Sequence, residues 1–200
     1  MPTIQRTLAY LLAMLPGMAL AAALFFLLRP WRTRRLAAMG LVSGGRREGA
    51  VLLFWLFCGG LAAVTLTPRW VVWSLLDLLR GYGWNQAGYP FFQLGTVNLI
   101  PLKTFRFDGY ILAGNIIMFV PFGFFSSLVG REHTWRRALL TGGRLTGFIE
   151  CWQLLVGRAL DIDDLLLNTL GVLCGFWLWL GLRRLAPDFI RAFQARPCKE

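Results

Sequence analysis

Acidic residues are scarce in this 200-residue chain: 10 Asp and Glu stand against 21 Lys and Arg, and charged residues of both signs make up only 16%. A soluble domain is about a quarter charged, so an ordinary water-facing surface is excluded. Intrinsic disorder, which needs low hydrophobicity, is excluded as well, because 56% of the residues are hydrophobic. Histidine is nearly absent, with His133 alone, and Cys58, Cys151, Cys174 and Cys198 show no metal-ligand or redox spacing. No disulfide, no metal and no cofactor is therefore expected. What remains in excess is apolar sequence and a net charge of +11. A basic balance points to nucleic acid or to an anionic membrane surface. The apolar content selects the membrane, and no nucleic-acid partner is expected.

A helix needs about 20 apolar residues to cross roughly 30 Å of hydrocarbon. Five stretches meet or approach that length: Thr7–Leu28, Gly49–Pro68, Gly109–Gly130, Ala138–Gly157 (interrupted by Arg144 and Glu150) and Leu165–Leu182. The expected fold is an all-α integral membrane protein, a bundle of about five transmembrane helices, multi-pass in the inner or plasma membrane. Orientation follows the arginines. Arg29, Arg32, Arg34, Arg35, Arg46, Arg47, Arg131, Arg136, Arg137, Arg183, Arg184, Arg191, Arg196 and Lys199 fall on one side of such a bundle. Arg6, Arg69, Arg80, Lys103, Arg106 and Arg158 fall on the other, with Arg144 inside a span. Fourteen against six places the amino terminus outside and the carboxyl terminus in the cytoplasm.

Residues 1–28 also have the outline of a secretory signal peptide, with Ala19-Leu20-Ala21 as a cleavage site. The run is long for that role and its arginine cluster lies on the wrong side, so a span is preferred. Pro16-Gly17 should kink this helix or mark where it bends. Arg69–Arg80 reads either as a helix lying in the interface, with Trp70 and Trp73 at headgroup level, or as an irregular aromatic loop. Three regions follow: 1–96 with two helices and their loops, a three-helix core at 97–182, and a basic tail at 183–200.

Ionisable residues inside a span cost about 2.5–3.5 kcal/mol on insertion scales and are functional candidates. Arg144 lies seven residues beyond Arg137, about 10 Å along a helix, and its long side chain can snorkel. Glu150 lies eight residues before Arg158, about 12 Å from the outer end. Its shorter side chain must be protonated, paired or facing a polar cavity. Gly143, Thr146, Gly147, Glu150, Gln153 and Gly157 recur at helical spacing, as do Asp161, Asp164, Asn168, Gly171 and Gly175. These two stripes are expected to face each other, since small residues let membrane helices approach closely. Asn98, Asn115, Glu150, Gln153, Arg158, Asp161, Asp164 and Asn168 then share the outer half and form a candidate ligand-binding pocket. Asp163 points off the stripe and is expected only to cap its helix.

These same residues carry a resemblance. Asn98-Leu99-Ile100-Pro101 with Lys103-Thr104, then Asn115-Ile116-Ile117-Met118-Phe119-Val120-Pro121-Phe122-Gly123, then Glu150-Cys151-Trp152-Gln153, then Arg158 with Asp161-Ile162-Asp163-Asp164 and Asn168-Thr169-Leu170-Gly171 resemble the VanZ-like family of small bacterial membrane proteins in order and spacing. The resemblance covers about residues 97–180; Gly142-Gly143-Arg144 departs from it, where the family has an uninterrupted apolar helix. It implies a cell-envelope protein, and the family's namesake is associated with low-level resistance to the glycopeptide teicoplanin. A phosphotransbutyrylase label carried by some members finds no support here, since the chain has no glycine-rich phosphate loop on a strand.

Three functions are therefore weighed. The first is a non-enzymatic protein binding a lipid-linked or cell-wall-related ligand in the outer pocket, with Arg158 meeting a phosphate or carboxylate and membrane lipids as neighbours. The second is a membrane-embedded enzyme acting on an envelope lipid or peptidoglycan intermediate. Its catalytic candidates are Glu150 as acid or base and Asp161 or Asp164 as the ionised counterpart. The third is a proton-coupled transporter, for which a homodimer would help to assemble a path.

Overall fold

Backbone N–H and C=O groups in hydrocarbon have no water to bond, so apolar runs of this length must satisfy themselves as helices. The computed structural model describes residues 3–68, 70, 71, 74, 77, 78, 81–85, 88, 90–101, 109–130 and 134–198. Its helices are α1 (Thr3–Leu27), α2 (Arg29–Ala37), α3 (Gly45–Leu66), α4 (Gly109–Val129), α5 (Trp135–Leu155), α6 (Ile162–Leu185) and the short α7 (Pro187–Arg191). A helix therefore stands on each of the five predicted stretches. Among the described residues, Gly45–Leu66, Leu112–Val129 and Ile162–Leu185 are long and apolar enough to cross a membrane. Leu12–Leu27 and Arg29–Ala37 meet at a 48° bend and make a fourth only if the pair is one span. Helix α5 falls short in apolarity because it carries Arg136, Arg137, Arg144, Glu150 and Gln153.

α1 is continuous through Pro16, and a 48° bend lies at its junction with the arginine-rich α2. Gly17 has a different use. A Cβ on Gly17 would collide with the Gly59 carbonyl oxygen, and one on Gly59 with that of Gly17, so α1 and α3 cross at backbone contact. Beyond the bend, Arg32 Nη2 meets Glu48 Oε2 at 2.9 Å, and Ser43 donates to the same carboxylate. Two-residue strands β1 (Leu41–Val42) and β4 (Arg196–Pro197) pair antiparallel and bring the tail back to the α2–α3 connection.

A second pair of helices at backbone contact is α4 and α6. A Cβ on Gly171 would overlap the Ile116 carbonyl oxygen, one on Gly175 that of Val120, and one on Gly123 that of Val172. The glycines of α6 therefore face α4, which corrects the expectation that they meet the α5 stripe. α5 reaches α6 through Gly142, where an added Cβ would lie 3.0 Å from the Val172 Cβ, and through a 3.2 Å hydrogen bond between Thr146 and Thr169. Gly143 has open space beside it. Gly157 adopts φ +78° beyond the end of α5, where a left-handed residue terminates the helix.

Leu61, Phe119, Ile149 and Val172, one from each of α3 to α6, form the central core. Ala50, Leu128, Phe176, Trp179 and Ile190 form a second cluster toward the Trp179 end. Strand β2 (Val97–Asn98) lies parallel to β3 (Leu160–Asp161), pairing Val97 with Leu160 and Asn98 with Asp161. The same segment gives its Gln93 and Gly95 amides to the carbonyls of Leu155 and Leu154, at 2.9 and 2.7 Å. The carbonyls that a helix leaves open at its C-terminal end are thus used to bind a strand.

The glycine contacts generate a prediction. Gly171→Leu or Gly59→Leu should destabilise the protein by roughly 1–3 kcal/mol through overpacking, whereas Gly143→Ala should stay within about 0.5 kcal/mol. Unfolding titrations in detergent micelles measure both; equal stability of all three variants would contradict the packing described.

Candidate functional site

Helix α6 begins under unusual demands. Its first amides need acceptors, and its start is covered by strand and helix rather than by water. Asp161 is the N-cap: its Oδ1 accepts the Asp163 amide at 2.9 Å, as carboxylates at an N-cap do. Its Oδ2 accepts from Asn98 Nδ2 at 3.0 Å across the β2–β3 pair. Its own amide donates to Glu150 Oε2 at 2.9 Å. Asp161 therefore ties strand β2, helix α5 and helix α6 together. One turn further in, Asp164 accepts from Asn115 Nδ2 of α4. Three of the sequence-predicted carboxylates, with both amides expected beside them, thus meet at the start of α6.

Burial at this level is deep for polar side chains: Glu150 is 2% exposed, Asp163 0%, and Gln153 and Asn168 5% each. Asp163 is the residue that sequence reasoning missed. Expected off the stripe and only as a cap, it sits completely buried in the first turn of α6, with Asp161 as the N-cap. The aspartate run supplied the signal, but periodicity alone turned Asp163 away from the stripe. Among the described residues no cluster of three His, Cys, Asp or Glu is arranged to hold a metal ion.

Asn168 lies four residues beyond Asp164 on the same face of α6. Its Oδ1 is buried and has no hydrogen-bond partner among the described residues. An unsatisfied buried oxygen costs about 1–3 kcal/mol, so this atom is either filled by something from outside the chain or tolerated at that cost.

Gln153 and Arg158 lie beside the carboxylates and are turned toward α3. Arg158 Nη1 donates to the carbonyls of Thr65 and Val64 at 3.1 and 3.5 Å, and Gln153 Nε2 donates to Thr65 at 3.1 Å. Trp152 Nε1 donates to the Leu66 carbonyl at 2.7 Å. These four bonds take up open carbonyls at the end of α3, and the guanidinium stands at the negative end of that helix dipole. Around them the aromatics interlock edge to face: Trp70 with Trp84 and Phe91, Phe91 with Phe92, and Phe92 with Trp152. The expected interface segment Arg69–Arg80 lies partly outside the described residues; Trp70, Val71, Ser74, Asp77 and Leu78 are helical. Lys103 and Thr104 lie outside them altogether.

Removing the guanidinium should expose the α3 end. Arg158→Ala is expected to cost roughly 1–2 kcal/mol and Trp152→Phe about 1 kcal/mol, read as a lowered Tm in detergent. An unchanged Tm in both variants would show that those carbonyls find other donors.

With this geometry in place, comparison with known proteins identifies a family. The family model described as VanZ/LLP1 matches residues 52–184, from within α3 to the last turn of α6. No curated protein and no solved structure matches the chain.

Proposed function

This chain belongs to the VanZ/LLP1 family, and on that premise we propose that it is a multi-pass protein of the bacterial cell membrane that binds the polar headgroup of a lipid-linked or cell-wall-related ligand at the start of α6. The observation that carries this reading is the buried Asn168 Oδ1 without a donor among the described residues, one turn below the Asn115–Asp164 contact. The surrounding groups are chiefly acceptors: Glu150, Asp161, Asp164 and the Asn168 oxygen. An acceptor-rich pocket suits a headgroup rich in hydroxyl, amide or ammonium donors. Asn98 and Asn115 hold the carboxylates, Gln153 and Arg158 fix the α3 wall, and Arg158 places positive charge where a phosphate of the same ligand would lie.

Glu150 is a holding group in this reading. Its Oε2 is committed to the Asp161 amide, which favours binding over acid–base catalysis. The topology proposed with it has α1 and α5 as spans beside α3, α4 and α6, the amino terminus outside and the carboxyl terminus cytoplasmic. This puts the pocket in the outer leaflet, where an envelope ligand would be met, and an effect on teicoplanin susceptibility would follow from occupying such a ligand.

Asn168→Leu separates a binding role from a structural one. Replacing an unsatisfied oxygen by an apolar group of similar size should leave Tm unchanged or raised, while any reduction in teicoplanin susceptibility conferred on a sensitive host is lost. Full retention of that phenotype by Asn168→Leu and by Asn115→Ala would overturn the pocket. The topology has its own check: in a background free of native cysteines, Lys103→Cys should be labelled by an impermeant maleimide from outside and Arg184→Cys should not. Outside labelling of position 184 would invert the orientation.

A further inference from the structure

Away from this pocket, α5 and α6 enclose an open groove of about 560 Å³ on the outside of the bundle. Its walls are apolar, with Leu140 from α5 and Leu166, Leu170 and Leu173 from α6, and Gly143 leaves the floor low. One charged residue lines it: Arg144. Arg144 is exposed and makes no hydrogen bond or ion pair with any described residue.

That cation needs a counter-charge, and the described part of the chain does not supply one. Glu48 pairs with Arg32, Asp188 with Arg191, and Asp77, in the helical segment after α3, has an interaction of its own and does not line the groove. Glu150, Asp161, Asp163 and Asp164 are gathered at the start of α6, and none of them lines the groove, although Leu165 and Leu166 beside them do. A second copy docking here would bring the same set of carboxylates, none of them free on a span surface among the described residues. The complement is an anion that arrives with its own apolar tail.

We propose that the α5–α6 groove is a binding site for an anionic phospholipid, with an acyl chain along the leucine walls and the headgroup phosphate on Arg144. Side chains on a helix lean toward its N-terminus, so the guanidinium is directed toward the Trp135 end of α5. Arg144 lies nine residues from Trp135, about 14 Å of helix, and its aliphatic stem covers much of that distance along apolar surface. The lipid therefore comes from the leaflet at the Trp135 end. Arg136, whose guanidinium lies 5.5 Å from the Trp135 ring centroid, stands at that entrance. This site is separate from the pocket at the start of α6 and does not depend on the ligand proposed there.

The test uses full-length protein reconstituted in phosphatidylcholine vesicles carrying a trace of spin-labelled phosphatidylglycerol or spin-labelled phosphatidylcholine. The wild type should hold the phosphatidylglycerol label about fivefold more strongly than the phosphatidylcholine label, as one well-placed arginine near anionic lipid provides. Arg144→Gln should remove most of that preference and Arg144→Lys should keep much of it. Gly143→Leu, which fills the floor, should lower the motionally restricted fraction of both labels, and it serves if Arg144→Gln fails to insert. Unchanged preference in Arg144→Gln together with an unchanged restricted fraction in Gly143→Leu would overturn the proposal. So would displacement by soluble glycerol phosphate, which would make the ligand a free phosphate, or a dimer that shields Leu140, which would make the occupant a second copy.

Discussion

The start of α6 depends on one hydrogen bond, from the Asp161 amide to the Glu150 carboxylate. A backbone N–H at a helix start within apolar surroundings must find an acceptor, and this one finds it on a neighbouring helix. That bond places Asp161 so that its carboxylate can cap Asp163 with one oxygen and receive Asn98 with the other. The parallel β2–β3 pair then follows, because Asn98 and Asp161 are register partners. Helix α5, strand β2 and helix α6 are thus joined at one residue, and the polar cluster exists because that joint must be satisfied.

Close packing sets how far the cluster extends. Gly171, Gly175 and Gly123 bring α4 and α6 to backbone contact, which carries Asn115 within reach of Asp164 one to two turns away. On the other side, Trp152, Gln153 and Arg158 occupy the open carbonyls of α3. Every helix from α3 to α6 therefore contributes to one polar level. The groove beside Arg144 lies on the outer side of the same α5–α6 pair, where Gly143 points away from the Gly142 and Thr146 contacts and stands free.

Much of this is written in the sequence, and the omissions have physical reasons. Charge-free runs mark α1, α3, α4 and α6, and a run broken by Arg144 and Glu150 marks α5, because their length is imposed by the hydrocarbon thickness. Asn98, Asn115, Glu150, Asp161 and Asp164 were found because ionisable and amide groups in an apolar run demand partners. The partners of Gln153 and Arg158 were not legible. They donate to main-chain carbonyls of Val64 and Thr65, and a carbonyl leaves no mark on residue identity. The α6 glycines were correctly taken as a contact face, but periodicity gives a face and not the neighbour that covers it. Gly157 was assigned to the same stripe as Glu150, while its positive φ makes it a helix terminator. Asp163 shows the same limit, since three aspartates within four residues cannot be apportioned between cap and interior by spacing alone.

The chain thus reads as a membrane protein of the VanZ/LLP1 family whose acidic residues, few as they are, are concentrated where α6 begins. Its central functional claim is that this cluster receives a ligand from outside the chain. The most direct measurement is an experimental density map of the protein extracted from its native membrane into nanodiscs without delipidation. A non-protein density with a polar atom at hydrogen-bond distance from Asn168 Oδ1, on the face shared with Asp164, is the expected result. A map in which Asn168 Oδ1 is met by a donor of the protein itself, with no room left beside Asn115 and Asp164, would contradict it.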